Sequence, residues 1–126
     1  TLFRSLQEKS MLMLLESSFV VRLHTTYNDD QFVYFLLDVA AGGELFELYQ
    51  EHDDWFGNAS LARFFIAGCA VGLDHMHSKK VIYRDLKLEN ILLNAKGYPL
   101  LTDMGLAKQV LGKTYTVCGT ADYMAP

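Results

Sequence analysis

The sequence predicts an α+β fold. Three observations carry that expectation. Apolar residues recur at helical spacing over residues 2–18 and again over residues 60–77; an Asn28-Asp29-Asp30 triplet separates two runs of β-branched and aromatic residues; and the C-terminal half consists of short apolar segments cut by turns. With 126 residues, 51% of them hydrophobic, the chain has the material for one sizeable core.

Taken in order, Leu2, Leu6 and Met13 fall at helical spacing, and Ser17 and Ser18 close a short helix. The stretch from Val20 to Ala40 reads as two strands, because Asn-Asp-Asp is turn chemistry and its flanks favour the extended chain. Gly42 and Gly43 end an extended linker, and Leu45, Phe46, Leu48 and Tyr49 begin a second helix, so a boundary between domain parts can sit at the glycines. From Ser60, the expected N-cap, Leu61, Phe65, Cys69, Leu73 and Met76 recur on one face of a long, largely buried helix. His75 and His77 near its end are two positions apart and point to different faces, which makes them terminal helix residues rather than a metal pair. Short strands follow, with turns at Ser78-Lys79-Lys80 and at residues 94–99, and no repeat or low-complexity segment is visible.

Composition excludes several classes of partner. The net charge is -4 and the pI near 5.4, and no long run of Lys and Arg offers a footprint for nucleic acid or an anionic membrane. Charges interrupt every apolar stretch well short of the roughly 20 residues a membrane helix needs, so no membrane span is expected. Cys69 and Cys118 lie far apart, without metal-ligand spacing or the density of a secreted disulfide scaffold, which makes a reducing cytoplasmic or nuclear setting the expectation. The chain begins at Thr1 rather than Met and stops at Tyr-Met-Ala-Pro, so both ends read as cuts.

The polar residues within "VIYRDLKLENILLNAKGYPLLTDMGLAK" carry the chemistry. Ionised Asp and Lys are costly to bury unless paired or bound to a ligand, yet Asp85, Lys87, Asn90 and Asp103 interrupt runs of Ile, Leu and Tyr. The 18 positions from Asp85 to Asp103 suit a loop, a short hairpin and a return to the same end. A solvated loop with turn-forming Asp and Asn is the plain alternative. The combined pattern favours phosphoryl transfer, in which one carboxylate orients a hydroxyl, a second acid and an amide oxygen hold Mg²⁺, and a Lys stabilises the transferring phosphate.

"YRDLKLEN", "TDMGLAK" and "TYTVCGTADYMAP" resemble the catalytic loop, metal-binding loop and activation segment of eukaryotic protein kinases. The Tyr before Arg84-Asp85, where His is usual, together with Cys-Gly-Thr, is most similar to the AGC group and to its cyclic-nucleotide-dependent members. The resemblance covers nearly the whole chain. It implies a truncated protein-kinase-like fold: the C-helix and hinge-side strands of the small lobe (residues 1–37), a hinge and linker (38–43), and the first part of the helical large lobe (44–126).

The family's roles carry over residue by residue and are implied by the resemblance alone. Asp85 is the catalytic aspartate, Lys87 contacts the γ-phosphate, and Asn90 and Asp103 are Mg²⁺ ligands. Glu8 is the C-helix glutamate that pairs with the ATP-binding lysine. Leu37 falls at the gatekeeper position, Asp38, Val39 and Ala40 at the adenine-binding hinge, and Leu92 and Thr102 beneath the ring. Glu44 reaches the ribose or a substrate arginine; Glu44 and Glu89 select arginine before the acceptor, Val117 begins a wall for an apolar residue after it, and Thr120 bonds Asp85. Thr116 takes the activating phosphate, which needs basic partners, and Arg84, Lys108 and Arg4 are placed for it. The expected activity is a Ser/Thr kinase using ATP and Mg²⁺ on substrates with basic residues before the acceptor. A cyclic-nucleotide-binding regulatory domain or subunit is an expected partner.

The sequence departs from the family pattern at Met104, where Phe is usual, at Leu88, where Pro is common, and at Ala121-Asp122 in place of Pro-Glu. Met104 is flexible and apolar enough to fill the stack with Leu12, Leu23 and Tyr83, so altered loop mobility rather than lost chemistry is expected. The glycine-rich loop and the lysine partner of Glu8 would precede Thr1. Two alternatives remain: a pseudokinase or scaffold that keeps the fold without turnover, and a purely structural α+β module.

Overall fold

The computed structural model describes residues 2–124, with side chains from Phe3 onward; Ala125 and Pro126, the end of the expected activation segment, and the Leu2 side chain lie outside the described residues. Helix α1 spans Leu2–Leu14, ending before Ser17 and Ser18. Its core-facing residues are Met11 and Leu12, followed by Leu15, whereas Leu6 and Met13 are exposed. The five consecutive apolar residues from Met11 to Leu15 carry no helical phase, so spacing could not choose between the two faces.

The expected hairpin pairs β1 (Leu23–Asn28) with β2 (Val33–Leu37) antiparallel, with Asn28 opposite Val33 and Leu23 opposite Leu37. Asp29 builds the turn: its Oδ1 accepts from the amides of Gln31 (2.8 Å) and Phe32 (2.7 Å), and its Oδ2 accepts from the Tyr34 hydroxyl (2.8 Å). The Gln31 amide first, then the Tyr34 hydroxyl and the Phe32 amide, hold the Asp29 carboxyl below its ordinary range.

Two-residue strand β3 (Gly43–Glu44) leads directly into α2 (Leu45–Glu51). Helix α3 runs over Ala59–Ser78 and is capped by Asn58, not Ser60. The Asn58 Oδ1 accepts from the Leu61 amide at 3.1 Å, which leaves Ser60 inside the first turn with no orphan amide to serve. Phe65, Cys69 and Met76 are buried as the spacing predicts, and Leu61 and Leu73 pack half-buried against them. Gly68 lies on the same face for a different reason: a Cβ there would sit 2.3 Å from the Pro99 ring, so glycine is what lets the following sheet approach the helix. His75 closes one further contact, its Nε2 accepting from the Glu16 amide at 3.0 Å and tying the α1–β1 connection to α3.

After α3 come β4 (Val81–Ile82), β5 (Ile91–Leu93), β6 (Pro99–Leu101) and β7 (Lys108–Gln109). Strands β3, β5 and β6 form one antiparallel sheet, and β4 pairs with β7 in another. The β5–β6 turn is held by the Asn94 Oδ1, which accepts from the Lys96 and Tyr98 amides at 2.9 and 3.0 Å. The Val21 amide donates to the Leu101 carbonyl (2.9 Å) and the Leu101 amide to the Phe19 carbonyl (2.8 Å), so the chain entering β1 is joined to the sheet. Leu12, Val20, Met76, Val81, Tyr83, Leu101 and Met104 belong to one continuous core, with Leu23 packed against it. Met104 is fully buried and therefore fills the apolar stack where Phe is usual. No helix among the described residues is long and apolar enough to cross a membrane.

Candidate active site

Residues 83–90 connect β4 to β5 and carry Asp85, Lys87 and Asn90; the short β5–β6 hairpin then returns the chain to Asp103. The return is a hydrogen-bonded one. Ile91 pairs with Leu101, and one step beyond the ladder the Thr102 amide donates to the Asn90 carbonyl at 3.1 Å, bringing the residue before Asp103 beside Asn90.

Asp85 is buried and has a donor for each carboxylate oxygen. Its Oδ1 accepts from the Thr120 hydroxyl at 2.6 Å. Its Oδ2 accepts from the Asn90 side-chain amide at 3.1 Å and lies 3.2 Å from the Lys87 ammonium. Burial pushes the Asp85 carboxyl up, but the bonds from Thr120, Lys87 and Asn90, with the Lys87 charge, outweigh it and hold the group below its ordinary value. Asp85 is thus ionised at neutral pH: a strong hydrogen-bond acceptor and a weak base. Lys87 also donates to the Thr120 oxygen at 3.3 Å, closing a three-residue ring around the carboxylate.

The backbone at Gly119 explains how Thr120, 35 residues away in sequence, reaches Asp85. Gly119 has φ 109°, and a Cβ there would lie 2.6 Å from the Arg84 carbonyl. Only glycine permits that approach. Arg84 itself has φ 72° and donates its Nε to the Leu106 carbonyl at 2.8 Å, while its Nη1 is buried without a partner.

The donor set fits a hard cation. Asn90 donates its amide NH₂ to the Asp85 carbonyl (2.9 Å) and carboxylate, and among the described residues no hydrogen bond engages its side-chain oxygen, the atom a metal would take. Asp103 is exposed, with φ 56°, and its Oδ1 accepts from the Gly105 amide at 3.0 Å, leaving its second oxygen open. Among the described residues no three His, Cys, Asp or Glu side chains cluster to hold a metal. Two oxygen ligands completed by water and phosphate are what Mg²⁺ accepts. Tyr83, buried, donates its hydroxyl to the Thr102 carbonyl and so fixes the backbone entering Asp103. Burial, then the charges of Asp103 and Asp85, raise its pKa well above the ordinary tyrosine value, so it stays a donor.

Glu8 faces this loop from α1. Burial and the Asp103 charge raise its carboxyl pKa, while the Met104 amide and Arg4 act the other way. The Arg4 guanidinium lies against Gly105, 3.0 Å from where a Cβ would stand. Glu44 and Leu92 are direct partners across the β3–β5 ladder, and half-buried Thr102 follows β6. Leu37 ends β2; Asp38 is exposed and bonds the His24 Nε2 at 2.7 Å; the Ala40 carbonyl accepts from the Gly43 amide at 3.3 Å. Glu89 keeps one carboxylate oxygen buried without a partner. Thr116 and Val117 are exposed, and Lys108 lies exposed in β7. Among the described residues, no hydrogen bond joins Thr116 to Arg84, Lys108 or Arg4.

Motif spacing anticipated the grouping of Asp85, Lys87 and Asn90, and the family resemblance offered Thr120 as a partner of Asp85, but neither foretold the work of three neighbours. The Tyr83 hydroxyl and the Gly119 backbone were visible only as letters within the motifs. Gln7, whose side-chain amide donates to the Ala107 carbonyl at 2.9 Å, gave no signal at all.

The chain matches the protein kinase domain over residues 3–126. It is 44% identical over 119 residues to the Saccharomyces cerevisiae cAMP-dependent protein kinase type 3, covering 94% of this chain and 29% of that protein. It is 40% identical to the human cAMP-dependent protein kinase catalytic subunit PRKX, over 94% of this chain and 33% of that one. Xenopus laevis ribosomal protein S6 kinase 2 beta is 41% identical, over 98% of this chain and 20% of its own length. The chain therefore spans a third or less of the length of each of these three relatives. A buried, hydrogen-bonded Asp85, an Asn90–Asp103 pair of oxygen donors and a family match over almost the full length lead to one conclusion: the chain belongs to the protein kinase domain family, and its relatives are Ser/Thr kinases of the AGC type.

Proposed function

We propose that the protein transfers the γ-phosphate of ATP to Ser or Thr hydroxyls of proteins with basic residues before the acceptor. The observation that carries this reading is the ring of Thr120, Lys87 and Asn90 around the buried Asp85 carboxylate. In the reaction the bond from the γ-phosphorus to the oxygen bridging it to the β-phosphate breaks. A bond to the acceptor oxygen forms, ADP leaves, and the acceptor's proton passes to the Asp85 carboxylate and on to solvent. Asp85, held ionised, orients the acceptor hydroxyl through its remaining lone pairs. Lys87, 3.2 Å from Asp85, supplies positive charge where negative charge is handed over. Asn90 and Asp103 would hold Mg²⁺, which when bound neutralises phosphate charge.

The finer assignments rest on the same reading. Leu37, Asp38, Ala40, Leu92 and Thr102 surround adenine, Glu44 and Glu89 recognise basic side chains, and Val117 flanks the residue after the acceptor. Glu89 is only half-buried, which supports its part as an acceptor for an arginine, while its one buried, partnerless oxygen would need a shift of the side chain to take part. Phosphate on Thr116 would draw Arg84, Lys108 and Arg4 together; the partnerless Arg84 Nη1 supports this. The division into small-lobe, hinge and large-lobe parts is supported by the separate β1–β2 sheet ahead of the β3–β5–β6 sheet. The names of the cAMP-dependent relatives support a regulatory subunit or domain as partner. The free cysteines Cys69 and Cys118 support a cytoplasmic or nuclear location.

A peptide array with radiolabelled ATP and Mg²⁺ tests the reading in the full-length protein. Labelled peptides should carry Arg upstream of Ser or Thr, and Thr116→Ala should lower the rate. Absence of any transfer would favour a scaffold, and transfer without Arg preference would overturn the roles of Glu44 and Glu89.

A further inference from the structure

Helix α1 meets the metal-binding turn through one face, on which Arg4, Gln7, Glu8 and Met11 follow at helical spacing. Arg4 and Glu8 act there through charge. Gln7 acts differently: its Nε2 donates to the Ala107 carbonyl at 2.9 Å, a neutral, directional bond joining residues 100 positions apart. Ala107 is fully buried and closes the turn, its amide donating to the Met104 carbonyl at 3.0 Å. At the other end of that turn the Gly105 amide fixes the Asp103 Oδ1 at 3.0 Å, with Asp103 itself in the left-handed region at φ 56°. A left-handed aspartate persists only where its surroundings over-determine it. The Tyr83 hydroxyl holds the chain just before Asp103, and Gln7 holds the far end of the turn that follows.

We propose that Gln7 is a positioning residue for the metal-binding aspartate: by holding the Ala107 carbonyl it keeps the 103–107 turn, and with it the Asp103 carboxylate, in the setting that faces a cation with Asn90. The inference rests on the phosphoryl-transfer reading for its consequence, but the contact stands without it. Gln7 touches neither phosphate nor metal. It acts through the turn.

Gln7→Leu removes the donor and leaves a side chain one atom shorter, and Gln7→Lys restores a donor at this half-buried position. Two measurements on the full-length protein decide the matter. The first is hydrogen exchange without metal or nucleotide. Gln7→Leu should speed exchange of the amides at 104–107 about 10-fold, as local opening becomes easier, with an unchanged melting temperature and near wild-type rates in Gln7→Lys. The second is peptide phosphorylation against Mg²⁺ concentration. Gln7→Leu should raise the half-saturating Mg²⁺ about 10-fold with kcat at saturating Mg²⁺ within about twofold of wild type, the signature of lost ground-state binding. Unchanged exchange in the turn, or a fall in kcat and melting temperature with the Mg²⁺ midpoint unmoved, overturns the proposal. A wild-type protein that transfers no phosphate overturns the phosphoryl-transfer reading instead, and the exchange measurement then decides the Gln7 contact alone.

Discussion

Thr120→Val removes a hydroxyl and almost nothing else. In the structure that hydroxyl donates to the Asp85 Oδ1 at 2.6 Å and accepts from the Lys87 ammonium at 3.3 Å. Valine leaves Oδ1 of a buried carboxylate without its donor, and a hydrogen bond to a charged group is worth about 1.5–3 kcal/mol. At about 1.4 kcal/mol per tenfold, and with all of the loss falling on the transition state, kcat/KM drops by about 10- to 150-fold. Thr120→Ser keeps the hydroxyl and should stay within about threefold of wild type. The assay is steady-state phosphorylation of a basic peptide by the full-length protein, with melting temperatures to show that each variant folds. Wild-type activity in Thr120→Val, or equal loss in Thr120→Ser, would refute the view that this bond holds Asp85 for catalysis.

Gly119→Ala should be worse than an ordinary surface change, because φ 109° and a Cβ 2.6 Å from the Arg84 carbonyl together cost on the order of 2 kcal/mol or more; a melting temperature within a degree of wild type would contradict this. Asp85 is held below its ordinary value of 3.8, so the stability it contributes is present above that pH and is lost as pH falls through the depressed value. Accordingly, the stability gap between wild type and Asp85→Asn should close in acid, and kcat/KM should show no limb from Asp85 between about pH 5 and 8. Glu8 has the opposite sign: with its pKa raised, the ionised form opposes folding, the penalty is full above the raised value, and stability rises as pH falls through that value to the ordinary carboxylate one. In the 126-residue chain Glu8→Gln should therefore melt higher than wild type at neutral pH, with the difference shrinking in acid.

Periodicity was enough for the long helix α3 and turn chemistry for the β1–β2 hairpin, since Leu61, Phe65, Cys69, Leu73 and Met76 recur cleanly and Asp29 sits where its side chain can close the turn. It failed at α1, where an unbroken apolar run hid which face is buried, and at the α3 N-cap, where Asn58 and Ser60 are both good caps and only the backbone decides. The polar residues of the site were legible because charge inside apolar sequence demands a partner. What was not legible is long-range contact made by ordinary letters. Nothing about Gln7 foretells a bond to Ala107, and nothing about Gly68 foretells Pro99, because each depends on how separate elements pack.

The central claim is that Asp85, within its ring of donors, directs phosphate transfer. Its most direct test is the rate of γ-phosphate transfer from Mg-ATP to an Arg-containing Ser peptide by full-length wild type and Asp85→Asn. Asparagine has nearly the same shape but neither the charge nor the acceptor strength, so the account predicts measurable turnover in wild type and a loss of at least about 100-fold in the variant with ATP binding retained. Equal rates in the two proteins, or no turnover in either, would contradict it.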